Sequence, residues 1–286
     1  MAWPWPSEFK ILKKEELAPG IKRIKVYAPL VAYKAKVGQF VILRVDGRGE
    51  RFPLTLVDWD TNKGSITLIF QEVGVSTRKL GSLNVGDRIL DIVGPLGNPS
   101  EIRRYGDVAV VGGGVGTALM YPQVSALKDA GNKVTSIIGA RTADLLLLVD
   151  EISKISDELY ISTDDGSRGV KGFTSDVLKS LLEGGRRFDY VFAVGPVLMM
   201  RAIAEVTRPY KIKTVVSLNP IMIDGTGMCG GCRVRVGEET RFACVDGPEF
   251  DAHEVDFREL ISRLRAYRRE EELAARLLGG RLKKGE

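Results

Sequence analysis

The chain has 286 residues, 44% hydrophobic and 28% charged, with a net charge of +5 and three cysteines. That balance supports a sizeable core and excludes a disordered chain, while apolar runs such as 108–111 and 145–149 are far too short to span a bilayer. Basic residues are interleaved with acids except in the tail, so no nucleic-acid or membrane partner is expected; the N-terminal MAWPWPSEFK has no apolar signal segment, and the expected location is cytoplasmic.

The first hundred residues read as β. Short β-rich runs occupy 9–12, 21–27, 40–45, 54–57, 65–71 and 88–93, separated by turn signals such as Asp46-Gly47 and Asn62-Lys63-Gly64. Strands at this spacing predict a small antiparallel barrel, with one short helix over 77–83. Within it stands Arg51-Phe52-Pro53-Leu54-Thr55. A guanidinium can pair with a pyrophosphate at two points, and the rigid proline would lay Leu54 and Thr55 against a flat ring. The plainer reading is a surface arginine at a turn. Gly74-Val75-Ser76-Thr77 then opens the short helix with small residues, a ready anion site.

At Gly106 the pattern changes to alternating strands and helices. Strands are predicted at 107–111, 134–138, 158–163, 190–194 and 214–218, with helices to residue 130 and over 172–182 and 197–206, which means a doubly wound parallel sheet. Gly112-Gly113-Gly114-Val115-Gly116 follows the first of these strands and opens a helix, the right context for dinucleotide phosphates. It is not the strict Rossmann fingerprint, since the pattern runs G-x-G-x-x-T. Arg141 favours a 2′-phosphate and Asp144 a ribose hydroxyl, so NAD against NADP stays open. Asp164 and the Gly195-Pro196 turn each follow a strand, where such sheets bind ligands.

The last motif reads Asp224-Gly225-Thr226-Gly227-Met228-Cys229-Gly230-Gly231-Cys232, with Cys244 beyond. With Asp224 the spacing is D-x4-C-x2-C-x11-C, against C-x4-C-x2-C…C for plant-type [2Fe–2S] sites. Thiolate and carboxylate are both anionic ligands for iron, and the glycines let backbone approach a cluster. A structural zinc site from the cysteines with Asp224 or His253 is the alternative, although zinc knuckles usually repeat. His253 itself reads as structural. The terminal stretch 257–278 is predicted helical, with Leu260, Leu264, Tyr267, Leu273 and Leu277 on one stripe that packs on its own domain or docks a partner.

Taken in order, R-x-P-L-T, G-V-S-T, G-P-L-G, G-G-G-V-G, V-G-P and the cysteine motif resemble the ferredoxin–NADP reductase superfamily. The resemblance covers nearly the whole chain. It is strongest to the branch with a C-terminal [2Fe–2S] domain: electron-transfer subunits of dihydroorotate dehydrogenase and small subunits of NADH-dependent ferredoxin:NADP oxidoreductase, or sulfide dehydrogenase. The former carry Cys, and the latter Asp, at the position of Asp224. The resemblance implies a β barrel plus α/β architecture: an FAD-binding barrel (1–104), an NAD(P)-binding domain (105–218) and a cluster domain with a C-terminal helix (219–286). It implies that Arg51, Pro53, Leu54 and Thr55 hold the flavin and ribityl–phosphate region, and that Gly74, Ser76 and Thr77 bind the FAD pyrophosphate. Gly113, Gly114 and Gly116 would face NAD(H) phosphates, Asp164, Gly195 and Pro196 the nicotinamide half, and Asp224, Cys229, Cys232 and Cys244 would ligate the cluster. No side chain is expected to act as catalytic acid or base. The implied assembly is a heterodimer with a larger flavin and iron–sulfur subunit, reaching ferredoxin and NADP(H) through it, with electron bifurcation there. A dihydroorotate dehydrogenase subunit and a non-enzymatic redox sensor are the rival readings.

Overall fold

The computed structural model describes residues 9–284, so the segment on which the signal-peptide expectation rests lies largely outside the described residues. Strands β1 (Phe9–Ala18), β2 (Ile21–Tyr27), β3 (Phe40–Arg44), β4 (Phe52–Asp60), β5 (Ser65–Gln71), β6 (Arg88–Ile89) and β7 (Asp91–Leu96) form one antiparallel sheet. Its order is β6-β1-β2-β5-β4-β3-β7. Only Leu90 separates the two edge strands in sequence, so the sheet curls into a nearly closed barrel. Ile24, Val26, Leu43, Leu68 and Phe70 fill it. Helix α1 (Pro29–Lys34) covers one end, and α2 (Val75–Ser82) sits between β5 and β6.

The second layer is a sheet of β8 (Asp107–Gly113), β9 (Lys133–Ala140), β10 (Glu158–Thr163), β11 (Val170–Lys171), β12 (Tyr190–Val194) and β13 (Lys213–Ser217), all parallel. Helices α3 (Gly116–Asp129), α4 (Val149–Ile155), α5 (Thr174–Glu183) and α6 (Val197–Thr207) connect them. Coverage on both faces explains why Val108, Ala109, Val110 and Val111 are buried without alternation. The order runs β11-β10-β9-β8-β12-β13, so the winding reverses between β8 and β12 and leaves a crevice at their carboxyl ends. The last part adds a hairpin, β14 (Arg233–Val236) with β15 (Glu239–Phe242), and β16 (Glu249–Asp251), which pairs antiparallel with β13. Helices α7 (Phe257–Leu264) and α8 (Arg268–Lys284) close the chain.

The expected strands and helices are present, with three differences. The run at 88–93 is two strands, and the short helix begins at Val75 because Gly74 caps it. The terminal helix is two helices. Phe257 and Leu260 are buried, whereas Tyr267, Leu273 and Leu277 are exposed, so the apolar stripe packs only along its first half. Helices α1 and α4, β11, the hairpin and β16 were not expected: all are short, and Arg233-Val234-Arg235-Val236 alternates over only four residues. His253 is structural as read, its Nε2 3.0 Å from the Thr207 hydroxyl.

Candidate functional site

A cavity of about 810 Å³ lies between the barrel and the carboxyl ends of the parallel strands. On the barrel side it meets Thr55, Gln71 and Val73; on the sheet side Gly113, Gly114, Gly116, Asp164, Gly195 and Pro196. Seven of the sequence-predicted residues therefore share one space, Thr55 and those six. The β8–α3 turn reaches the cavity because Gly116 lets the helix start against β12: a methyl group there would collide with the Val194 carbonyl and the Gly195 backbone. The N-terminus of α3 and the turn before it therefore line the crevice, where a phosphate is favoured.

Arg51, Pro53, Leu54, Gly74, Ser76 and Thr77 are not among the cavity-lining residues. Arg51 is exposed just ahead of β4, and Pro53 and Leu54 pair with Ile42 and Val41 across β3. Gly74 follows the lining residue Val73 and caps α2, where its N–H donates to the Thr77 hydroxyl at 3.1 Å. The other end of α2 is held from β1, since the Lys14 ammonium donates to the Gly81 and Leu83 carbonyls at 2.6 and 2.7 Å. A cation at a helix C-terminus is favourable. Sequence reasoning missed the apolar rim of the cavity. Phe173 and Leu198 line it at 61% and 62% exposure, and their only signal is that each follows the carboxyl end of a strand.

The cysteine motif lies on the far side of Leu218, which lines the cavity and also belongs to the core that contains Cys232 and Cys244. Barrel residues Phe40 and Ile42 share that core. Gly225 brings the loop down onto the barrel: its φ is +75°, and a methyl group would sit 2.6 Å from both Ile42 Cγ1 and Leu96 Cδ1. The Asp224 carboxylate accepts from the N–H groups of Thr226 at 2.9 Å and Cys229 at 2.7 Å. Led by the Thr226 bond, these hold it below the usual carboxylate range, so it is anionic. Cys229 is exposed, while Cys232 and Cys244 are buried with their sulfurs 3.2 Å apart. Burial, then the neighbouring Cys232, pushes the Cys244 thiol up to about 12. From α7, Arg263 Nη2 donates to the Gly231 carbonyl at 3.1 Å and braces the loop.

These donors fit a dinuclear cluster. The sulfurs of Cys232 and Cys244 lie together, and the charge of Asp224 is felt at Cys244. Glycine backbone around them leaves N–H groups free to face sulfur. His253, bonded to Thr207, is committed elsewhere.

Comparison with known proteins gives the family. Residues 219–256 match the family model described as the iron-sulfur cluster binding domain of dihydroorotate dehydrogenase B. A Thermotoga maritima protein, the dihydroorotate dehydrogenase B (NAD(+)) electron transfer subunit homolog, is 48% identical over 265 residues, 93% of each chain. The Clostridium perfringens electron transfer subunit of dihydroorotate dehydrogenase B (NAD(+)) is 31% identical over 87% of this chain and 97% of its own. Among solved structures, a chain of the NADH-dependent reduced ferredoxin–NADP oxidoreductase, described in connection with flavin-based electron bifurcation, superposes with a TM-score of 0.90 at 46% identity, covering 97% of this chain and 99% of that one. Phthalate dioxygenase reductase shares the fold at a TM-score of 0.57 and 17% identity, over 80% and 86% of the two chains. No helix among the described residues is long and apolar enough to cross a membrane. On similarity that spans nearly its full length, the chain belongs to the family of dihydroorotate dehydrogenase B electron-transfer subunits, on the ferredoxin–NADP reductase fold.

Proposed function

We propose that this protein passes electrons between NAD(H), FAD and a [2Fe–2S] cluster on behalf of a larger partner subunit. It is a flavin and iron–sulfur electron-transfer subunit, an oxidoreductase of the NAD(P)H-linked class. The observation that carries the reading is Leu218, which touches the cofactor cavity on one side and the core of Cys232 and Cys244 on the other. When bound, the flavin converts two-electron hydride chemistry into single-electron steps, and the cluster carries single electrons.

The chain's own residues bind and orient. Thr55 and the β4 segment of Pro53 and Leu54, with Arg51 ahead of it, would hold the flavin and its phosphate arm. The α2 N-terminus at Gly74, Ser76 and Thr77 would take the pyrophosphate, with Lys14 fixing that helix from behind. Gly113, Gly114 and Gly116 would seat the nucleotide phosphates, and Asp164, Gly195 and Pro196 the nicotinamide half. Asp224, Cys229, Cys232 and Cys244 would hold the cluster. The low proton affinity of Asp224 supports its place among these anionic ligands. We assign domains at 1–104, 105–218 and 219–286 on the same basis.

The partner in this reading is a larger flavin and iron–sulfur subunit in a heterodimer, through which ferredoxin and NADP(H) are reached. Aspartate rather than cysteine at position 224 favours this over a dihydroorotate dehydrogenase partner. Three unpaired cysteines suit a reducing compartment, and we place the protein in the cytoplasm. The test is the visible spectrum of anaerobically purified protein, with EPR after dithionite reduction, for wild type and Asp224→Ala. Flavin absorbance with a rhombic S = 1/2 signal that changes in the variant is expected. A colourless, zinc-loaded protein would end the electron-transfer reading.

A further inference from the structure

Glu249 sits where all three parts of the molecule meet. The Ser100 hydroxyl donates to its Oε1 at 2.5 Å, and Gln123 Nε2 lies 3.0 Å from the same oxygen and 2.8 Å from Ser100 Oγ. Ser100 belongs to the link leaving the barrel, and its own N–H donates to the Val37 carbonyl at 2.8 Å. Gln123 is on α3, at 2% exposure. Glu249 is on β16, in register with Ser217 of β13, which lines the cofactor cavity. Gly38 makes room for the junction, since a methyl group there would collide with both the Ser100 hydroxyl and the Glu249 carboxylate.

The bonds around it are directional. Asn98 Nδ2 donates to the carbonyls of Val245 and Asp246, each at 3.1 Å, and the Asn98 N–H to Gly247 at 2.7 Å. The Leu218 N–H donates to Pro248 at 2.9 Å. Thus the segment that follows Cys244 is stitched to the barrel exit and to the cavity wall, and Glu249 is the ionisable group that joins it to Ser100 and Gln123. Among the described residues no cation offsets it: burial pushes its carboxyl up to about 7, opposed by the Ser100 and Gln123 bonds, and Tyr190 on β12 feels its charge. A carboxylate kept at that cost, with neutral partners, is a joint between domains rather than an ion pair.

We propose that Glu249 is a positioning residue for electron passage: by tying Ser100 and Gln123 to the segment behind Cys244, it fixes the cluster domain relative to the cofactor cavity. This rests on the electron-transfer reading above. Gln123 and Ser100 also bond each other directly, so the barrel and the nucleotide domain stay joined when Glu249 is removed, and the loss falls on the cluster side.

The test uses wild-type, Glu249→Ala and Glu249→Gln holoproteins, reduced anaerobically with NADH in a stopped-flow instrument. Flavin bleaching and cluster reduction are followed separately, and amide hydrogen exchange is measured over residues 245–249. Glu249→Ala is expected to bleach its flavin at the wild-type rate, to reduce its cluster roughly ten- to hundredfold more slowly, and to exchange those amides faster. Glu249→Gln, which keeps the acceptor oxygen, restores the rate but loses the wild-type pH dependence through neutrality. Should Glu249→Ala fail to fold, Ser100→Ala removes the shortest bond, and it is held to slower cluster reduction and faster exchange over 245–249; because it also deletes the bond to Gln123, its flavin rate is not part of the test. Wild-type cluster reduction and exchange in Glu249→Ala would overturn the proposal, as would an unaltered pH profile in Glu249→Gln. A wild-type protein without flavin or cluster would overturn the functional reading instead.

Discussion

Replacing Gly225 with alanine asks how closely the cysteine loop must sit on the barrel. Two costs add at this position. The residue has a φ of +75°, and an L-residue held in that region loses about 1–2 kcal/mol. The new methyl would also lie 2.6 Å from Ile42 and Leu96, and overpacking of this kind costs about 1–3 kcal/mol. The sum is about 2–5 kcal/mol, which for a chain of this size lowers the melting temperature by about 3–8 °C. The assay is thermal unfolding of the holoprotein followed by far-UV circular dichroism and by cluster absorbance, since Gly225 adjoins Asp224. Gly20→Ala is the control: its φ is +70° and nothing lies within 4 Å of the added carbon, so it carries the backbone cost alone. If both variants melt together with full cluster absorbance, the close seat of the loop on β3 and β7 is not what holds it.

Other outcomes follow from single contacts. The Glu249 carboxyl rises from 4.5 to about 7 in the fold; the folded state therefore binds more protons than the unfolded one between those values, and stability falls as pH rises through them. Glu249→Gln removes that slope and gains about 1–2 kcal/mol on wild type at pH 8, after discounting for solvent contact; urea unfolding at acidic and alkaline pH measures it, and a difference between the proteins that ignores pH would refute it. Gly116→Val drives a side chain into the Val194 carbonyl and Gly195, so the KM for NADH should rise at least about tenfold while bound FAD is retained; an unchanged KM would remove this turn from the nucleotide site. Lys14→Met deletes the bonds to Gly81 and Leu83 that brace α2, and FAD titration of apoprotein should show affinity lower by about fivefold, near 1 kcal/mol. Asp256→Ala removes the side chain that accepts the Glu259 N–H at 2.9 Å and caps α7, at a cost of about 1 kcal/mol in thermal unfolding.

Much of this protein was legible in one dimension, because the features concerned are local. Short β-rich runs broken by turn residues announced the barrel, and the switch at Gly106 to strands alternating with helices announced the parallel sheet. Asp224 and the cysteines stood out by spacing alone, since ligands a few residues apart depend little on the rest of the chain. What the tertiary structure decided is how these pieces meet. Thr55 shares a cavity with Gly113 and Gly195 only because the barrel docks on the carboxyl ends of β8 and β12. Leu218 lines that cavity and shares a core with Cys232 and Cys244, a relation no spacing encodes. The terminal helix breaks after Leu264 and leaves Tyr267, Leu273 and Leu277 exposed, although the apolar period in the sequence continues. Ser100, Gln123 and Glu249 are unremarkable polar residues in the sequence, 149 positions apart at the extremes. Burial makes them a junction, because a polar group removed from water must find its partners wherever the fold brings them.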